Sequence, residues 1–294
     1  MLRKLIQLSP STSVVSLPSP WIKKNKLLKG AALFVQENEN KIIISTDNAR
    51  NELEINLDIT QLKGKLMWAA IDAAYIAGYD LIIVTTKDQE QNKLMTKVVK
   101  YFPGLIICEE RKNKVHFKDM ANHSRGELEQ ILSRIFNLNI ALLEDSIEAI
   151  RTEDWTLLSD IKRRDYNINS YISYCLRQLN KFGYTPLSKL GLIHAYIKIL
   201  EMVSDKFCAL FAGIGKNKIK IGKEKVIFSE LLELYKLLQR IHFNFTKERL
   251  IEIEERRNKL LLKLPISDNH LNLYLTEILE LFFDLEEMEI QLNT

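Results

Sequence analysis

Two hydrophobic periods run along this chain, and the places where one gives way to the other divide it into three parts. In residues 1–46 apolar positions follow the strand period. Segments 4–8 and 13–17 flank the turn cluster Ser9-Pro10-Ser11, which predicts a hairpin. Residues 20–26 (PWIKKNK) suit one helical turn with proline near its start. Segments 31–36 and 41–45 flank Glu37-Asn38-Glu39-Asn40 and predict a second hairpin. In residues 48–122 the periods alternate: a strand at 53–57, a helix at 61–77 closed by Gly78, a strand at 80–85 and a helix at 89–101. A hairpin follows, 105–109 with 115–118 around Arg111-Lys112-Asn113, so this part is a small α/β domain. Residues 123–294 keep the helical period almost throughout. Breaks near 152–153, 183–186, 213–222, 244–246 and 265–268 predict six helices, at 126–150, 154–181, 187–212, 226–243, 246–263 and 269–291. The glycine- and lysine-rich stretch 213–225 divides them three and three. The expected class is multidomain: a small β hairpin module, an α/β segment and two tandem three-helix bundles, 123–215 and 224–294.

Composition narrows this picture. The chain has 10 glycines and 6 prolines in 294 residues, too few turn formers for a sandwich or barrel. An apolar fraction of 46% with 27% charged residues excludes global disorder. Cys108, Cys175 and Cys208 lack the spacing of a disulfide framework or a zinc knuckle, and the last two sit among apolar residues as core positions. Trp21, Trp68 and Trp155 read as packing anchors. The α/β segment has no glycine-rich phosphate loop and no G-x-S-x-G, and no Glu-x-x-His occurs anywhere. The N-terminal apolar stretch is broken by Gln7, Ser9 and Pro10, and the most apolar window, 192–213, carries Lys198, Glu201, Asp205 and Lys206. With its cysteine usage, these features predict a cytoplasmic protein that is not membrane-embedded.

The net charge of +4 is unevenly spread. Residues 1–46 hold seven basic and two acidic residues, +5, and the rest of the chain is −1 with 35 basic and 36 acidic residues. Residues 268–294 carry seven acids and no lysine or arginine. Arg3, Lys4, Lys23, Lys24, Lys26 and Lys29 fall in the first 30 residues, with no acid between them. A module this small buries too little to stand alone, so a second copy is expected, and a two-fold pair of basic β elements suits the phosphate backbone of DNA. A solubilising surface is the plainer reading of the same lysines.

The acids repeat between the two helical halves. The third helix of each half carries Leu-Glu with Asp four residues after the Glu: Leu200-Glu201 and Asp205, then Leu279-Glu280 and Asp284. The middle helices echo this with Asp165 and Asn169, then Glu254 and Asn258. Residues four apart share a helical face, so each pair offers two oxygens to one point, as Mg, Mn or Fe sites require. A solvated polar stripe is the competing reading, and His194, Lys198, Glu201 and Asp205 fit it. Glu277, Glu280, Asp284 and Glu287 fit it less well: like charges at that spacing repel, and their own helix has no base to offset them.

Residues 3–45, through the "VSLP" run, Trp21-Ile22-Lys23-Lys24-Asn25 and the following "LLKG", resemble a SpoVT/AbrB-type swapped-hairpin domain, with Ser9-Pro10 where that family's loop glycine stands. Residues 123–294 resemble tandem PhoU domains, on the two E-x-x-x-D motifs at Glu201/Asp205 and Glu280/Asp284. The second acidic motif keeps one acid per half, Asp165 and Glu254, with Asn169 and Asn258 in the other place. Together the chain is similar to archaeal PhoU-like phosphate uptake regulators. That resemblance implies a non-enzymatic regulator of phosphate uptake that dimerises through its hairpins, contacts DNA and holds divalent or iron-type metal ions at its carboxylates. Two alternatives stay open. One is an interaction protein that docks on a phosphate transporter or signalling kinase without binding DNA. The other is a metal-dependent hydrolase using the carboxylate stripes, for which no adjoining nucleophile or base is evident.

Overall fold

A computed structural model describes residues 2–38, 41–46, 52–121, 127–222, 225–264 and 270–294. The expected turn residues Glu39-Asn40, the boundaries at 47/48 and 122/123 and the break at 265–268 lie outside the described residues. Small β sheets occupy the N-terminal part and helices most of the C-terminal part. The chain forms two compact units, Met1–Asn51 and Glu52–Thr294.

The first unit contains two antiparallel hairpins. β1 (Ile6–Ser9) pairs with β2 (Thr12–Val14), and Ser9 faces Thr12 across the Pro10-Ser11 turn. β3 (Leu33–Asn38) pairs with β4 (Lys41–Thr46). Between them α1 (Ser19–Lys24) has proline in its first turn and ends in a Schellman-type stop. There Leu27 N–H donates to Ile22 C=O and Lys26 N–H to Lys23 C=O, with Lys26 left-handed at φ 51°. None of the described side chains of this unit is buried. Leu5, Leu8, Leu28, Val35 and Ile42 are each more than three-fifths exposed.

The second unit begins with a four-stranded sheet in the order β5-β6-β8-β7, built from β5 (Glu54–Asp58), β6 (Leu81–Thr85), β7 (Leu105–Arg111) and β8 (Lys114–Asp119). β5 and β6 are parallel, so the chain between them must cross over, and α2 (Lys65–Ile76) is that crossover. Gly78, at φ 92°, stops α2 where a side chain would be strained. α3 (Gln89–Val98) starts at Asp88, whose side chain accepts the Gln91 N–H at 2.9 Å. Ile82, Val84, Val115 and Phe117 point from the sheet into a core shared with Ile71, Tyr75 and Met95.

The helical part comprises α4 (Leu128–Thr152), α5 (Trp155–Asp160), α6 (Lys162–Phe182), α7 (Leu190–Asn217), α8 (Lys225–Phe243), α9 (Lys247–Lys263) and α10 (His270–Asn293). The break at 152–154 has a local cause: Glu153 is left-handed at φ 56°, and Asp154 caps α5 by accepting the Leu157 N–H at 3.0 Å. The single helix expected at 154–181 is two helices joined at Ile161. The seam expected at Gly213 falls later, because α7 continues to Asn217. Gly215 serves close packing: a Cβ there would lie 2.6 Å from the Leu158 Cβ and 2.7 Å from the Ser159 nitrogen of α5. The two halves share one hydrophobic core running through α4, α7, α8 and α10, with α6 and α9 at corresponding places in each half. Cys175 and Cys208 are buried in it, as their apolar neighbours lead one to expect.

Candidate functional site

In the first half, Asp165 and Asn169 on α6 meet Glu201, Asp205 and Cys208 on α7. Asp165 stands within hydrogen-bonding reach of Asp205, and its carboxyl is pushed up to about 7. Burial is the main cause, followed by the repulsion of Asp205 and Glu201. The Oδ1 atoms of Asp165 and Asn169 are buried without a hydrogen-bond partner in the protein. Arg164, the nearest base in sequence, is engaged with Asp145 at 2.5 Å, and Glu201 takes the Lys198 ammonium. Asp165 and Asn169 offer a hard cation buried oxygens with no partner in the protein, while Glu201 already has Lys198 and Asp205 is exposed. Among the described residues no three His, Cys, Asp or Glu are already drawn together at ligand spacing.

In the second half the equivalent residues Glu254, Asn258, Glu280 and Asp284 are all exposed. Asp205 in the first half is exposed too, but here all four groups lie in water, and a solvated carboxylate has no need of a metal, so these four fit a bound ion poorly. Glu277 finds its base on another helix, Lys206 of α7, at 2.6 Å. The buried acids of α10 lie elsewhere. Glu286 accepts from Arg257 Nε of α9 at 3.0 Å, and Glu289, 1% exposed, contacts His242 Nδ1 of α8 at 2.7 Å. Burial pushes the Glu286 carboxyl up to about 7 against the pull of Arg257. These two acids occupy the apolar-facing side of the helix, and their heptad-like position among Leu285 and Met288 was the available signal for burial.

Sequence reasoning missed the junction between the α/β layer and α6. Ser173, Arg177 and Asn180 lie on one face of α6 and all reach α2. Ser173 donates to Asp72 Oδ1 at 2.7 Å and Asn180 to the Ile76 carbonyl at 2.8 Å. Arg177 is fully buried. It donates to the Tyr75 and Tyr79 carbonyls and to Asp119, with its guanidinium 4.7 Å from the Tyr75 ring centre. Lys181 adds a 2.5 Å bond to Asp80 and a 3.0 Å bond to Asp119. One turn or two before Ser173 the same face carries Asn169 and Tyr166, which line a cleft with Trp68 and Tyr101. Trp68 packs on the α/β core, as its type leads one to expect, and its ring also forms a cleft wall.

In the N-terminal unit Arg3, Lys4, Lys23, Lys24, Lys26 and Lys29 are all exposed, and among the described residues none has an acidic partner. No helix among the described residues is long and apolar enough to cross a membrane. Comparison with protein-family models, with curated proteins and with solved structures returned no match.

Proposed function

We propose that the protein is a non-enzymatic, cytoplasmic, DNA-binding regulator, and that its target, by resemblance, is phosphate uptake. The observation that carries the reading is the first unit: none of its described side chains is buried, its apolar residues face outward, and its six bases have no acidic partner among the described residues. An isolated two-stranded hairpin is marginal in water, so two such hairpins without a core require a second copy to cover Leu5, Leu8, Val35 and Ile42. Exchange of hairpins between two copies would do this and leave the bases of both on the outside. Those bases would then meet the phosphate backbone. The helical body, α4–α7 and α8–α10 merged on one core, is the sensing part. A divalent or iron-type cation would be held by Asp165, Glu201 and Asp205. Such an ion would supply the positive charge that Asp165 and Asp205 lack.

A gel shift on fragments of the source genome, repeated across salt concentrations, tests this. Binding is expected at low salt and should weaken linearly in log–log form. Reversing both Lys23 and Lys24 to Glu should flatten the slope by about two or more, at roughly 0.9 for each phosphate no longer neutralised. No shift at low salt, or a shift indifferent to the reversal, overturns the DNA reading. A chain that still dimerises without binding DNA would support the second reading, docking on a transporter or kinase through the same exposed apolar residues.

A further inference from the structure

The cleft beside the α2–α6 junction is built differently from the carboxylate cluster next to it. It encloses about 180 Å³ where α2 and α6 part beyond Ser173. One wall is aromatic: Trp68 and Tyr101 have ring centres 4.8 Å apart, Tyr101 and Tyr166 5.1 Å, and Trp68 and Tyr166 6.3 Å. The other wall offers oxygens from Asp72, Asn169 and Glu201. None of the lining residues is a lysine or arginine. The aromatic wall already takes a cation from outside, with Lys100 Nζ 5.0 Å above the Tyr101 ring.

The charged groups lining the space, Asp72 and Glu201, are acceptors. Asn169 Oδ1 is buried and has no partner in the protein. Asp72 takes one hydrogen bond from the Ser173 hydroxyl, and its carboxyl is raised by burial against the pull of Ser173 and Lys198. Lys198 also serves Glu201, so one ammonium is shared by two carboxylates. A site of this kind repels phosphate and other anions. A neutral base would leave its acids uncompensated, and a quaternary ammonium brings no N–H for Asn169. An inorganic ion would gain nothing from the rings. A flat cation with N–H groups on its edge meets every requirement: its face stacks on the aromatics and its edge donates to the three oxygens.

We propose that this cleft binds a small organic cation of the guanidinium class, stacked on Trp68 and Tyr166 and hydrogen-bonded to Asn169, Asp72 and Glu201. The ligand would bridge α7 to α2 and α6, the two helices that join the α/β layer to the helical body. The site lies wholly within the second unit, so it stands or falls independently of DNA binding.

Calorimetric titration of the full chain with agmatine, in the presence of EDTA, tests the proposal. Saturable one-to-one binding is expected, with tetramethylammonium and adenosine each weaker by about tenfold or more, the worth of the lost charge-assisted hydrogen bonds. Tyr166→Ala removes a half-exposed ring, and Glu201→Gln keeps the shape while removing the charge. Each should weaken agmatine by about five- to tenfold with the melting temperature nearly unchanged. A short arginine peptide run in parallel identifies the source of the guanidinium: tighter binding than agmatine points to a partner protein's arginine, weaker binding to a free small molecule. Absence of agmatine binding up to roughly 10 mM, a range that spans weak millimolar sites, overturns the proposal. So does affinity indifferent to both variants, or a response to Mg or Mn alone.

Discussion

α6 packs on α4 and α7, and α9 on α8 and α10, yet the two helices live in different surroundings. The α/β layer lies against α6, which is why Ser173, Arg177 and Gln178 are buried there. α9 buries Ile253, Arg257 and Leu260 on one side and exposes Glu254, Glu255, Asn258 and Lys259 on the other. The acids that repeat between the halves therefore differ in state. Asp165 is partly buried beside Glu201 and the exposed Asp205 and titrates at about 7, while Glu254, Glu280 and Asp284 are exposed. Burial, and not the motif, decides whether a carboxylate has anything to recruit.

The largest test of this contrast is to detach the layer. Arg177→Ala leaves the Tyr75 and Tyr79 carbonyls without their buried donor and Asp119 with Lys181 as its cation, and each unsatisfied buried acceptor costs about 1–3 kcal/mol. Urea unfolding should show that loss, together with a new transition or a lower midpoint. A change under about 0.5 kcal/mol, the size of an ordinary surface substitution, would mean that the layer is held by apolar packing alone.

The second test is smaller and depends on pH. Asp165 titrates at about 7 when folded against an ordinary 3.8, so between those values the folded chain holds a proton that the unfolded chain has released. Its contribution to stability is complete below about pH 4 and is lost as pH rises through 7. Asp165→Asn should therefore leave stability at pH 4.5 nearly unchanged. At pH 8 it should raise stability by about 1 kcal/mol once solvent screening is allowed for, or 2–4 °C for a unit of this size. A variant that follows the wild-type melting curve at both pH values would show Asp165 to be solvated like Glu254.

The smallest effect is expected in the uncovered half. Glu280→Gln with Asp284→Asn should shift the melting temperature by no more than about 1–2 °C, the range of surface changes. Metal content, measured by mass spectrometry after dialysis against Mn or Fe, should be unaffected by that pair. Glu201→Gln with Asp205→Asn should abolish whatever the wild type retains. Equal loss in both variants would erase the distinction between the halves.

Much of the fold was legible because it depends on neighbours in sequence. The β hairpins, the α2 stop at Gly78, the α4 stop at Glu153 and the ends of α8 and α9 follow from turn residues, caps and period, all of which act within a few residues. The lack of a self-sufficient core in residues 1–46 was also legible, since burial capacity scales with length. The α5–α6 break was not: no glycine or proline marks it, and it accompanies the close approach of α5 to Gly215, about 55 residues away.

The candidate site divides in the same way. Sequence alone determined that Glu201 and Asp205 share a helical face, as do Glu280 and Asp284, because a helix places residues four apart together whatever surrounds it. It determined as well that the positive charge gathers at the N-terminal end. Only the tertiary structure decided which carboxylates leave water and which stay in it. The same is true of Lys206 standing against Glu277, Arg257 and His242 against Glu286 and Glu289, and Trp68 beside Tyr166 on one wall of a cleft. Those pairings join residues from about 30 to 100 positions apart. The free energy of a charge depends on the dielectric and the partners around it, and packing between distant elements sets both.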